Sequence, residues 1–215
     1  MILEGKQTQN IVPEPTLRRL PWYLAYAKLT FAHGEKSISS TQIAKNIALD
    51  AAAVAKDLSY LDISGKTRVG YDNQALIAAL ENFLGFTKNH RAYLFGVGRL
   101  GGALLQDTGL QQYGIEIVAG FDAKYELAGT SINHIPIHHI DKFDELILKS
   151  NVRIGILTVP VEQAQEVSDL LVDKGIRAIW NFTPYRIRVP EKVVVQNTSI
   201  YAHLAVMFNR LNSFV

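Results

Sequence analysis

The run Gly96-Val97-Gly98-Arg99-Leu100-Gly101 constrains this chain more than any other. It follows the apolar stretch Ala92-Tyr93-Leu94-Phe95 and opens onto Gly102-Ala103-Leu104-Leu105, which reads as helix. A second apolar run, Ile117-Val118-Ala119-Gly120-Phe121, ends in Asp122, twenty-one residues after Gly101. Strand, glycine turn, helix start, strand and acid, in that order, make up the dinucleotide fingerprint of a Rossmann fold. A glycine at 96 permits the tight turn. One at 98 lets the backbone approach a pyrophosphate, and one at 101 lets helix and strand pack closely. Val97, Arg99 and Leu100 fill out the loop, and the helix N-terminus offers unpaired N–H groups and a positive dipole end to the phosphates. Asp122 would accept hydrogen bonds from the adenosine ribose, which favours NAD(H) over the 2′-phosphorylated cofactor. Glycine-rich turns also occur in α/β proteins that bind nothing, so the reading rests on the combination.

Ahead of this fingerprint lie some ninety residues that a Rossmann domain does not need. Pro13-Glu14-Pro15-Thr16 starts a helix with Leu17, Leu20, Leu24, Ala27 and Phe31 at helical spacing, and His33-Gly34 stops it. Pro21 falls in its first turns, where a missing N–H matters little. Ser39-Ser40-Thr41 caps a second helix with Ile43, Ala44 and Ile47 on one face, and Asp50 caps a third from Ala51 to Tyr60 with Val54, Leu58 and Leu61 inward. Only Ala48 and Leu49 lie between them. Two short helices joined tightly after a longer one spell a helix-turn-helix. The basic, glycine-bracketed segment Gly65-Lys66-Thr67-Arg68-Val69-Gly70-Tyr71 suits a β wing, and a fourth helix runs from Asn73 to Leu84.

After residue 92 strand and helix alternate, which implies a parallel sheet with right-handed crossovers. Leu127 to Ile140 is irregular, Asp141–Lys149 and Val161–Lys174 are helical, and 153–160, 177–182 and 193–195 are strands. A last helix, Ser199 to Phe214, carries Ile200, Leu204, Met207, Phe208 and Leu211 as an apolar stripe that needs a partner surface. The fold class is therefore α/β. A winged helix-turn-helix occupies 1–87, a Rossmann-type NAD(H)-binding domain 88–197, and a dimerisation helix 198–215.

Composition narrows the functions. Apolar content of 48% and a net charge of +2 describe an ordinary soluble protein. With no cysteine, disulfides, thiolate zinc sites and cysteine nucleophiles are excluded. Met1 to Gln7 lacks the pattern of a signal peptide, and no apolar run is long enough to span a membrane, so a cytoplasmic protein is expected. The six histidines suggest no metal site: His138 and His139 are adjacent on a strand and point to opposite faces. No G-x-S-x-G elbow, HExxH or P-loop is present.

Thr158-Val159-Pro160 and Asn181-Phe182-Thr183-Pro184 end successive strands at the carboxyl edge of the sheet, where open α/β sheets bind ligands. Thr158, Val159, Pro160, Asn181 and Phe182 are candidates to line the nicotinamide half of the cofactor; alternatively the two prolines merely stop strands. Lys56, on the outward face of the third helix beside Asp57, joins Lys66 and Arg68 of the wing as candidate DNA contacts. A lone surface lysine would more often be merely solvated.

The segments Val54-Ala55-Lys56-Asp57-Leu58-Ser59-Tyr60, Val69-Gly70-Tyr71, Gly96 to Gly101, Phe121-Asp122, Leu157 to Pro160 and Asn181 to Pro184 run in the order found in the Rex family of redox-sensing transcriptional repressors, which the chain resembles. The resemblance implies a homodimer that binds a pseudo-palindromic operator in double-stranded DNA when NAD⁺ dominates and is released by NADH. It also implies that the last helix is swapped into the partner, and that no substrate is turned over. Some positions depart from the family pattern. Ala55 stands where the recognition helix has an arginine, so base preferences near Lys56 are expected to differ. The wing lacks one glycine, and Asp107 stands about where a tyrosine near the nicotinamide is usual. Ser199-Ile200 replaces an Asp-Phe pair whose aspartate meets a first-helix arginine, and Ala25 sits near that arginine's position. Two alternatives stay open: a small NAD-dependent dehydrogenase, and a DNA-binding protein with a structural, non-sensing dinucleotide.

Overall fold

The computed structural model describes residues 12–213, so the expectations on Met1 to Gln7 and on Phe214 lie outside the described residues. The chain divides into two compact units, 1–87 and 88–215.

The first unit contains α1 (Glu14–Ala32), β1 (Ser37–Ile38), α2 (Ser40–Asn46), α3 (Ala51–Leu58), β2 (Tyr71–Asp72) and α4 (Asn73–Phe83). Local chemistry sets the helix starts. Ser39 and Gln42 form a reciprocal capping box on α2. The Asp50 carboxylate accepts from the Ala52 and Ala53 N–H groups, and that of Asp72 from Ala75. The turn between α2 and α3 spans 47–50 and places Ala48 in the left-handed region at φ +53°. Leu20, Tyr23, Ile43, Val54, Leu58 and Leu76 are wholly buried and knit α1 to α4 into one core.

Two sequence expectations change here. Pro21 is the eighth residue of α1, beyond the first turns, and the helix runs through it unbroken. The carbonyl four residues earlier belongs to Leu17, which is 41% exposed, so water can satisfy it. The wing is less regular than a strand pair. Lys66 and Gly70 exchange two backbone hydrogen bonds as an isolated bridge, and Thr67, Arg68 and Val69 form the tip. Arg68 has φ +65° and Gly70 φ +89°. A Cβ at Gly70 would lie 2.5 Å from the Ile38 carbonyl, so only glycine lets the wing close against β1, which pairs antiparallel with β2.

The second unit contains β3 (His90–Phe95), α5 (Arg99–Gln106), α6 (Gly109–Gln112), β4 (Ile115–Asp122), β5 (Ser131–Ile132), β6 (Ile135–His139), α7 (Phe143–Leu148), β7 (Ile154–Leu157), α8 (Ala164–Asp173), β8 (Ala178–Asn181), β9 (Val194–Asn197) and α9 (Ile200–Asn212). Its seven-stranded sheet has the order β5-β6-β4-β3-β7-β8-β9 and is parallel apart from the β5–β6 pair. Strand order reverses between β3 and β7, which opens a crevice at their carboxyl ends. Tyr93, Phe95, Phe121 and Phe143 pack around one another with ring centroids 5.0–6.1 Å apart beneath that crevice.

The segment read as irregular, Leu127 to Ile140, instead supplies β5 and β6, and β6 extends the sheet through the register Gly120↔Ile137. Alternation of Ile135 and Ile137 with Pro136 and His138 carries that strand. A one-turn 3₁₀ segment precedes both α7 and α8, so these helices start two to three residues later than their apolar spacing suggests.

Ser199 caps α9 through the Ala202 N–H, yet no residue of this helix is buried. Ile200, Tyr201, Met207, Phe208 and Leu211 are each 52–67% exposed. Exposed apolar faces of this size mark interaction surfaces. Deleting residues 199–215 is therefore expected to leave the aromatic core folded but to abolish self-association. Light scattering checks this; a well-behaved dimer after the deletion would mean that the dimer contact lies elsewhere on the chain.

Candidate functional site

Gly96 directly follows β3 at φ +93°, and a Cβ there would lie 2.8 Å from the backbone of Thr158, the residue after β7. The Thr158 hydroxyl, 2.7 Å from the Gly96 carbonyl and 3.0 Å from that of Phe95, donates into this junction. A Cβ at Gly101 would collide with the Gly96 carbonyl, so the third glycine is what allows α5 to start so close to β3. Gly98 is the N-cap of α5, and nothing lies within 4 Å of where its Cβ would be. No side chain caps the first-turn N–H groups of α5, and the open space at Gly98 leaves the backbone there uncrowded, as approach of a phosphate group requires.

Asp122 closes the opposite side. One carboxylate oxygen accepts from the Val97 N–H at 2.7 Å and the other from the Lys124 N–H at 2.9 Å. Each oxygen keeps a lone pair, so the group can still accept ribose hydroxyls while fixed to the glycine turn. A cavity of about 980 Å³ opens at this sheet edge, and Gly96, Gly98, Asp122, Thr158, Val159 and Pro160 line it. These residues fit a dinucleotide.

The other expected cofactor residues do not line this cavity. The Val97 side chain is buried, while Arg99 and Leu100 are exposed on the first turn of α5. Asn181 is wholly buried with all four hydrogen-bonding positions used: its amide donates to Tyr185 O and Asn197 Oδ1, and its carbonyl accepts from the Thr183 N–H and hydroxyl. The Phe182 ring packs on Trp180 at 4.6 Å.

The cavity also draws in residues that sequence reading passed over. Lys124 follows Asp122 by two residues, and Gln163, Glu166, Val167 and Leu170 line the α8 side. Near Asp141, another lining residue, the His139 ring stacks on Tyr125 at 3.7 Å. Its Nε2 lies 3.0 Å from the Ala123 carbonyl and its Nδ1 3.0 Å from the Asp141 carboxylate. Only their place at or after the carboxyl ends of β4, β6 and β7 could have signalled them. Asp107 lies apart from this cavity, caps the end of α5 and accepts from the Gly109 N–H at 2.6 Å. Among the described residues no group of three histidine or carboxylate side chains could hold a metal ion.

In the first unit Lys56, Lys66 and Arg68 are exposed, and none forms an ion pair among the described residues. Ala25 and Ala55 are exposed too. Asp57, by contrast, is only 2% exposed. Its carboxylate accepts from Arg19 Nε and Nη2 at 2.7 and 2.8 Å, from the Tyr23 hydroxyl at 2.6 Å and from the Thr16 hydroxyl at 2.8 Å. Burial pushes the Asp57 carboxyl up, but the Arg19, Tyr23 and Thr16 hydrogen bonds together outweigh it and hold the group below the usual carboxylate range. Burial and the bond to Asp57 push Tyr23 up to about 12. Spacing could have revealed this: 54, 57, 58 and 61 form one helical stripe, so an acid at 57 belongs to the apolar face.

A family model described as a CoA binding domain matches residues 87–185, and one described as a putative DNA-binding protein N-terminus matches 11–59. The chain is similar to the redox-sensing transcriptional repressor Rex of Bacteroides thetaiotaomicron, 64% identical with 97% of each chain covered. It is similar also to that of Porphyromonas gingivalis, at 59% identity over 98% of this chain and 96% of the relative. Among solved structures, RSP in complex with β-NAD⁺ and operator DNA superimposes with a TM-score of 0.90 at 30% identity, covering 95% of this chain and 94% of that one. RSP in complex with β-NADH gives 0.85 at 30% identity, covering 95% and 96%.

The glycine geometry makes its own test. Gly101→Ala must push α5 away from the Gly96 carbonyl, so NADH affinity is expected to fall about tenfold or more, while the circular-dichroism spectrum stays that of a folded α/β protein. Calorimetric titration with NADH checks it.

Proposed function

The chain belongs to the Rex family of redox-sensing transcriptional repressors, and on that premise we propose that it is a homodimeric repressor that holds operator DNA while NAD⁺ dominates and lets go when NADH accumulates. The observation that carries this reading is the dinucleotide cavity at the β3–β7 switch point, built on the same chain as a helix-turn-helix with an unpaired basic wing. Residues 1–87 bind DNA, 88–197 bind NAD(H), and 198–215 form the dimer contact.

Gly96 to Gly101 hold the pyrophosphate through backbone N–H groups, and Asp122 holds the adenosine ribose. Thr158, Val159 and Pro160 face the nicotinamide half, and Asn181 and Phe182 shape the strand end behind them. The nicotinamide supplies the signal, since reduction removes its positive charge. Lys56 reads or touches the duplex from α3, and Lys66 and Arg68 touch it from the wing. The protein turns over no substrate, and as a DNA-binding repressor it works in the cytoplasm. Neither the dehydrogenase nor a purely structural dinucleotide is favoured, because the relatives carry the name of a redox-sensing repressor.

The direct test is a titration on operator DNA selected from random sequence, first with NAD⁺ and then with NADH. Release by NADH is expected; sustained NADH oxidation with a panel of carbonyl substrates would reverse the reading.

Two sets of variants probe the parts. Asp122→Ala is expected to weaken NADH binding by about 1–3 kcal/mol, since charge-assisted hydrogen bonds are lost, and to relax discrimination against the 2′-phosphorylated cofactor. Equal affinity for wild type and variant in calorimetry would reject that role. If Lys56 meets a base edge, Lys56→Ala costs about 1–3 kcal/mol on the operator and relaxes one position per half-site. Arg68→Ala should weaken binding to all sequences and make the salt dependence shallower by about one unit per site.

A further inference from the structure

The third helix is only eight residues long, and Val54 and Leu58 are its buried apolar side chains. Burial of these two side chains sets which face of the helix turns inward, but apolar contact is not directional and leaves the exact angle loosely defined. Asp57 adds direction. The Arg19 guanidinium grips both carboxylate oxygens, and Thr16 and Tyr23 each add a hydrogen bond. A planar fork on a carboxylate specifies orientation as well as distance. All three donors lie on one face of α1, at spacings of three and four residues, so the carboxylate is held along two turns of that helix. Rotation of α3 about its axis or sliding along α1 would break these bonds.

We propose, resting on the repressor reading above, that Asp57 is a positioning residue for operator recognition: its clamp to Arg19, Tyr23 and Thr16 sets the angle at which α3 presents Lys56 and its exposed neighbours to base edges. Lys56 immediately precedes Asp57 in the chain and lies on the exposed side of the helix. A rotation of about 20° shifts a side-chain tip on the helix surface by about 2 Å, enough to break a bond to a base edge. Contacts to phosphates tolerate such a shift better, because they depend on charge more than on angle. The clamp therefore acts on the preference for operator over other DNA. Stability alone does not call for it, since well-packed apolar side chains often replace a buried ion pair without loss.

The experiment measures affinity for selected operator and for a random duplex of equal length, at one salt concentration, alongside thermal unfolding and NADH titration. Arg19→Lys keeps the charge and loses the fork. The triple variant Arg19→Met, Asp57→Leu, Tyr23→Phe replaces the clamp by apolar packing and guards against a variant that merely unfolds. In both, the operator-to-random affinity ratio is expected to fall about tenfold or more, with random-duplex and NADH affinities within about threefold of wild type. A triple variant that unfolds at the wild-type temperature and keeps the wild-type ratio would overturn the proposal, as would an unchanged ratio in Arg19→Lys. Should the wild-type protein itself show no preference for any selected duplex, the repressor reading falls first and this inference with it.

Discussion

The second unit depends on one close approach, that of the β3 turn to the end of β7. Gly96 and Thr158 meet with no room for a side chain between them, and the Thr158 hydroxyl is spent on the carbonyls of Phe95 and Gly96. That contact lets strand order reverse without a gap and holds open the crevice above it. It also aims the start of α5 at the space beside Gly98. Asp122 then ties the far side of the same turn to β4 through Val97. The nucleotide site is thus largely a property of backbone spacing, with few side chains committed to it before a ligand arrives.

The division between what the sequence disclosed and what it hid follows sequence distance. The strand, glycine turn, helix and acid are local or nearly so, and their spacing was enough to place the cavity. Helix caps at Ser39 and Asp50 were equally readable, since a cap acts within three residues. The stripe 54, 57, 58 and 61 marked Asp57 as inward, but its partners stayed hidden, because they lie 34 to 41 positions earlier and nothing local requires them. Asn181 was recognisable as the end of a strand, but its carboxamide is consumed by Thr183, Tyr185 and Asn197, which only the folded loop brings back to it. The two-residue β5 was too short to show a period, and it concealed β6 behind it.

In the first unit one carboxylate is sunk beside a guanidinium, while Lys66 and Arg68 of the wing form no ion pair among the described residues. The acid Asp57 stays ionised far below neutral pH. Its contribution is complete above the ordinary carboxyl value of 3.8 and is lost only as pH falls through its lower folded value. Tyr23 mirrors it on the alkaline side: its contribution holds below the ordinary 10.0 and fades as pH rises toward about 12. Across the physiological range this cluster is therefore indifferent to protons. A sensor of nicotinamide redox state gains from that, because metabolic acidification does not register as a false signal at the recognition helix.

The root of α9 is pinned. Trp180 donates to the Thr198 hydroxyl, the Thr198 N–H donates to the Asn181 carbonyl, and Asn181 also grips Asn197. Beyond that root the helix buries none of its own residues. An apolar face left uncovered by its own chain ties stability to whatever covers it, so a partner that binds only the folded form raises that stability by mass action.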